Sequence, residues 1–162
     1  MELYNEQDIQ WMKSAIQLSG TSVFHNKLFG GPFGAIVVKD GKPIGLSFNQ
    51  VEMDKDPTAH AEVMAIRDAC KNLQTSNLRG CKLYTSCEPC PMCLFAIQWA
   101  GIHQIYYAAT RDDAEKIGFQ DSQMYKKLNE DNFTGVPIKE CRDEAVNEMN
   151  KWKEKFSDWE YK

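Results

Sequence analysis

The sequence lacks any run of about 18 consecutive apolar residues, the minimum for a membrane-spanning helix, so no membrane partner is expected. It also lacks an excess of positive charge. Nineteen Lys and Arg face 23 Asp and Glu, a formal net charge of -4 with a pI near 5.4. A chain so charged has no general attraction for phosphate backbones, which argues against a nucleic-acid partner. The first residues, Met1 to Glu6, carry neither a basic leader nor an apolar core, so no signal peptide is read there and a cytoplasmic location is expected. Repeats, low-complexity tracts and Pro- or Gly-rich linkers are absent too. With 43% apolar residues in 162, the expectation is one domain over 1–162, large enough for a true core.

Cysteine, by contrast, is present six times. Cys87, Cys90 and Cys93 are bunched at metal-ligand spacing, whereas Cys70, Cys81 and Cys141 are scattered and read as reduced residues. The bunch follows, some thirty residues on, a His60-Ala61-Glu62 triplet. His-x-Glu followed by Pro-Cys-x-x-Cys is the signature of the zinc-dependent nucleobase deaminases. One imidazole and two thiolates hold a zinc ion and leave its fourth position to water. A carboxylate two positions from the imidazole can then move that water's protons. This reading takes His60, Cys90 and Cys93 as ligands of one Zn2+ per subunit and Glu62 as the proton carrier.

Cys87 complicates the count. If all three thiols bound with His60, the zinc would be closed and purely structural. The proline before Cys90 suits a strand-to-helix turn that aims Cys90 inward, which favours the open site with Cys87 as a buried neighbour. Glu62 has a plain reading as well, that of an acid complementing a helix N-terminus. Since i and i+2 face apart on an ideal helix, His60 and Glu62 can share a metal only at a helix start.

Periodicity places helices near 6–19, 59–73, 112–117 and 121–129, a short one from about Pro89 or Pro91 to Ala100, and a last helix near 141–159. Along 59–73 the stripe is Val63, Ile66, Cys70 and Leu73; along the last helix it is Ala145, Met149, Trp152, Phe156 and Trp159. Strands are expected at 33–39, 43–48, 81–86 and 102–109, with Asp40-Gly41 as a hairpin turn and a weak fifth strand near 135–140. The apolar 102–109 segment reads as a central strand. The alternation implies an α/β fold, a three-layer α/β/α sandwich around a mixed, roughly five-stranded sheet.

The chain resembles the cytidine-deaminase-like superfamily and, within it, the bacterial guanine deaminases. The resemblance is carried by Gly31-Pro32-Phe33-Gly34-Ala35, by residues 56–62 and 84–93, by Tyr106-Tyr107-Ala108-Ala109, and by residues 117–122, whose Gly118-Phe119-x-Asp121-Ser122 points to guanine. It implies hydrolytic deamination of a small purine, guanine, to xanthine and ammonia. Asn49 would hydrogen-bond the base, Phe33 would stack on it, Trp99 would line the pocket and Asp121 would serve as a second acid. The backbone N–H of Ala61 or Cys87 would hold an oxygen. It further implies a homodimer in which the C-terminal helix is exchanged and Tyr161 reaches the partner's pocket. Read from residue type alone, Phe33 also suits a core strand, Asn49 a turn and Asp121 a helix N-cap. The stripe of the last helix suits packing on its own subunit equally well. The rival readings are a deaminase for cytosine, guanosine, a triazine or tRNA adenosine, and a protein whose zinc only staples the fold.

Overall fold

The computed structural model describes residues 4–129 and 142–155. The chain divides into two compact units, Met1–Asn129 and Glu130–Lys162. In the first, α1 (Glu6–Ser19) and α2 (Thr21–Phe24) precede the hairpin β1 (Gly34–Lys39) and β2 (Lys42–Phe48). Then come α3 (Val51–Asp54), α4 (Ala61–Leu73), β3 (Lys82–Cys87), α5 (Pro91–Trp99) and β4 (Gln104–Ala109), closed by α6 (Arg111–Lys116) and α7 (Asp121–Asn129). The second unit contributes α8 (Arg142–Lys155), on which Met149 and Trp152 are exposed. The expected strand at 135–140 and residues 156–159 of the last helix lie outside the described residues.

Among the described residues the sheet has four strands rather than five, in the order β2-β1-β3-β4. β1 runs antiparallel to β2 and β3, and β3 runs parallel to β4. The sheet is therefore mixed, as expected. Asp40 and Gly41 both take positive φ, 49° and 71°, the conformation of the tight hairpin turn that Asp-Gly favours.

Alternation along the strands sorts side chains to two faces. Ala35, Val37 and Leu83 pack with Ala61, Ala65, Ala69, Ile97 and Ile102 in one core, under α4 and α5. Ile36, Val38 and Tyr84 meet Ala15, Trp11, Met12 and Leu18 in the other, under α1. A buried polar knot ties α1 to the sheet: Asp8 accepts hydrogen bonds from Tyr84 Oη at 2.5 Å and Lys82 Nζ at 3.0 Å. Helices on both faces give the α/β/α sandwich.

Two details depart from the periodicity reading. The fully buried face of α4 is Ala61, Ala65 and Ala69, while Ile66, Cys70 and Leu73 pack at its margin. Small residues at i, i+4 and i+8 let α4 ride unusually close to β2: a Cβ at Gly45 would lie 2.2 Å from the Ala65 carbonyl oxygen. Gly45→Ala must therefore lift the helix that carries His60 and Glu62. The expected result in denaturant titration is a loss of about 1–3 kcal/mol, the usual cost of overpacking, with activity falling as well. In addition β4, expected at the centre, is an edge strand among the described residues. Its aromatic Tyr106 stacks on Tyr84 at 5.0 Å, but Tyr107 is half exposed. Apolar content alone does not separate a central strand from an edge.

Candidate active site

Two helix starts meet at the end of β3. His60 is the N-cap of α4 and Cys90 the N-cap of α5, both with extended backbone (φ -68°, ψ 152° and φ -67°, ψ 167°), and neither side chain caps its own helix. Pro91, at the first helical position, has the fixed φ and missing N–H that a helix start tolerates. Freed from capping, the two side chains turn toward each other. His60 Nδ1 lies 3.5 Å from Cys90 Sγ and 3.4 Å from Cys93 Sγ. The three ligand atoms all fall within 4.8 Å of one another, and Cys90 and Cys93 are buried.

The spacing fits zinc. With Zn–S of about 2.3 Å and Zn–N of about 2.0–2.1 Å at tetrahedral angles, nitrogen and sulfur sit about 3.5 Å apart. The electrostatics fit too. The Cys90 thiol is drawn down to about 4, first by the hydrogen bond from Cys93 and also by His60, while Cys93 is pushed up by the same pairing and by burial. The pairing with His60 and Cys93 favours thiolate at Cys90, and a divalent cation displaces the protons of the thiols it binds. Cys87 stands apart from this group. Its Sγ donates to the Thr110 carbonyl at 3.5 Å, and burial pushes its thiol up to about 11.

Glu62, at the second position of α4, is only 6% exposed. The extended backbone at His60 removes the i, i+2 conflict, so its carboxylate shares the site. Oε2 accepts from Cys93 Sγ at 3.5 Å and Oε1 from Thr85 Oγ1 at 3.1 Å. Burial raises its pKa above the ordinary carboxylate value, which favours return of a proton once it has been taken. A helix-start acid that only complements the dipole would remain in solvent. Thr85 escapes a motif search, yet β3 alternation puts it on the α4 face beside Leu83, fully buried. Its hydroxyl stabilises the charged carboxylate. In Thr85→Val the acid limb of the kcat/KM profile should therefore move to higher pH, because Glu62 must ionise to accept a proton. An unmoved limb in the pH profile would contradict that role.

Phe33, Asn49, His60, Glu62, Cys87, Glu88, Cys90, Phe119 and Asp121 line one pocket. Asn49 is buried, and its Oδ1 accepts from the Val51 N–H at 3.1 Å, which sets the flip of the amide. Gly30 makes room for it: a Cβ there would come within 2.0 Å of that oxygen. Phe33 meets Phe119 edge to face at 4.8 Å. Asp121 lies in the first turn of α7; burial, then the negative charge on Cys90, pushes its carboxyl up. Ala61 is the first residue of α4, so its N–H is one that the helix itself leaves free.

Trp99 departs from expectation. It is 68% exposed at the end of α5 and is not among the pocket residues. The buried face of α5 is Pro91, Cys93 and Ile97, and two residues beyond Ile97 the helix has turned Trp99 outward. Tyr161 lies outside the described residues. Phe119 and Glu88 were missed as pocket residues, although both sit inside segments that carry the resemblance.

This fold and this His/Cys/Cys cluster define a class. Residues 5–109 match the family described as the cytidine and deoxycytidylate deaminase zinc-binding region, and the chain belongs to it. It is a zinc-dependent deaminase, and its cofactor is zinc. Among individual relatives, it is 52% identical to guanine deaminase of Bacillus subtilis (strain 168) over 119 residues, 74% of this chain and 75% of that protein. The crystal structure of guanine deaminase from Bacillus subtilis superposes with a TM-score of 0.83 at 42% identity, covering 98% of this chain and all of that one. The tRNA-specific adenosine deaminase of Aquifex aeolicus (strain VF5) is 49% identical over a shorter stretch of 78 residues, 48% of this chain and 52% of that protein.

Proposed function

We propose that the chain hydrolyses guanine to xanthine and ammonia. The observation that carries this reading is the gathering of Asn49, Phe33 and Asp121 around His60 and Glu62 in one pocket. The likeness to a guanine deaminase over three-quarters of that protein's length supports it. His60, Cys90 and Cys93 are the residues that would hold zinc. When bound there, the metal supplies Lewis-acid chemistry, lowering the pKa of a water toward about 7.

The chain's own residues do the rest. Asn49 and Phe33 hold the base, the amide by hydrogen bonding and the ring by apolar contact. Glu62 accepts a proton from the water that attacks C2 and delivers it to the ring nitrogen. Glu62 and Asp121 then protonate the departing amine; burial shifts both carboxyls upward, which favours the protonated form of each. The N–H of Ala61 or Cys87 donates to the oxygen that becomes the xanthine carbonyl. Water and guanine supply all the atoms of xanthine and ammonia.

The homodimer belongs to this proposal, with the helix near 141–159 exchanged and Tyr161 reaching the partner's pocket. Exposed Met149 and Phe95 are apolar surface for it to cover; sedimentation at the mass of one chain would exclude it. A cytoplasmic location goes with the same reading.

Ammonia release from guanine, guanosine, cytosine, adenine and an adenosine-bearing RNA stem-loop tests the substrate. Turnover of guanine at least about 10²-fold above the others supports the proposal, since a site built to hydrogen-bond one base rejects analogues strongly. Preference for the RNA would overturn it.

A further inference from the structure

Asp121 reaches the site from α7, a nine-residue helix. A helix that short is marginal by itself, so its placement must come from tertiary ties. One tie runs straight to the metal loop. Tyr125 Oη donates to the Pro89 carbonyl at 2.7 Å, and Pro89 immediately precedes Cys90. The guanidinium of Arg111, at the start of α6, lies 4.1 Å from the Tyr125 ring centroid. Arg111 is itself held to Glu88: its Nε donates to Oε1 at 3.0 Å and its backbone N–H to Oε2 at 3.1 Å, with a further Nη2 contact. Carbonyl, phenol, guanidinium and carboxylate form one continuous chain around the residues that lead into Cys90.

Tyr125 follows Asp121 by four residues, so the two share a face of α7. Anchoring one fixes where the other points. We infer that Tyr125 is a positioning residue: its bond to Pro89, braced by Arg111, sets the Asp121 carboxyl at the metal site. This rests on the reading of Asp121 as second acid given above. Arg111 also offsets the charge of Glu88, which lines the same pocket as Glu62 and Asp121.

Tyr125→Phe isolates the tether, because the ring stays over Arg111 and only the hydroxyl is lost. With guanine as substrate, kcat should fall about tenfold and KM change less than about threefold, as for a misplaced group rather than lost binding. Zinc content should stay at the wild-type level. In an Asp121→Asn background the same change should cost less than about twofold, since the two residues act as one unit. Effects that multiply in the double variant would overturn the inference. Amide hydrogen exchange gives a readout independent of turnover: residues 120–125 should exchange faster in Tyr125→Phe while residues 61–73 do not. Unchanged exchange at 120–125 would overturn it too. If the wild type leaves guanine intact, the substrate reading fails, and the exchange measurement still decides the tether.

Discussion

Glu62→Gln binds zinc as the wild type does and deaminates about 10²–10⁴-fold more slowly, the range by which a positioned acid–base group accelerates a reaction. The amide keeps the shape and can still accept from Thr85, so the metal pocket is undisturbed. It cannot accept a proton from water or return one to the ring. The same variant should melt no lower than the wild type. Burial raises the Glu62 carboxyl, which means that the folded state disfavours its charge. Removing a buried charge relieves that cost, a trade of stability for function common at active sites. The opposite pattern, intact turnover with a lower melting temperature, would mark Glu62 as a structural helix-start acid. Metal analysis, stopped-time ammonia assays and thermal melts on one preparation separate the two.

Replacing a ligand has a different signature. In Cys90→Ser, Cys93→Ser or His60→Ala, the metal site loses one of three donors. Activity should drop at least about 10³-fold together with zinc content, and the melting temperature should fall, because metal that binds only the folded state adds its binding free energy to stability. Cys87→Ala should keep the metal, since its thiol bonds the Thr110 carbonyl and lies apart from the His60, Cys90, Cys93 group. Cobalt replacement makes the donor count visible: two thiolate ligands and an exchangeable water are expected. A spectrum of three thiolates without exchangeable water would assign the metal to a closed structural site and remove the basis for catalysis.

The metal cluster was legible in the sequence because its spacing is local. His60 and Glu62 sit two residues apart, Cys90 and Cys93 three apart, and helix starts place each pair without knowledge of the rest. The sandwich was legible from alternation of elements. Its edges were not. β4 is as apolar as a central strand, and only pairing decides which strand stands outside. Trp99 shows the same limit for a single side chain: a residue near the motif was expected in the pocket, but helical phase turned it to solvent. Alanine hid the close seat of α4, since periodicity scored the larger Val63, Ile66, Cys70 and Leu73 while the contact with Gly45 needed small residues. Glu88 and Phe119 joined the pocket only when two separate loops were brought together, and Thr85 only when the β3 face met Glu62.

The central claim is that this pocket adds water to guanine at C2. The zinc-loaded wild type, given guanine in water enriched in oxygen-18, tests it most directly by mass spectrometry of the product. The expected product is xanthine carrying one heavy oxygen, with one ammonia released for each xanthine formed. Guanine recovered unchanged by an enzyme with a full complement of zinc would contradict it.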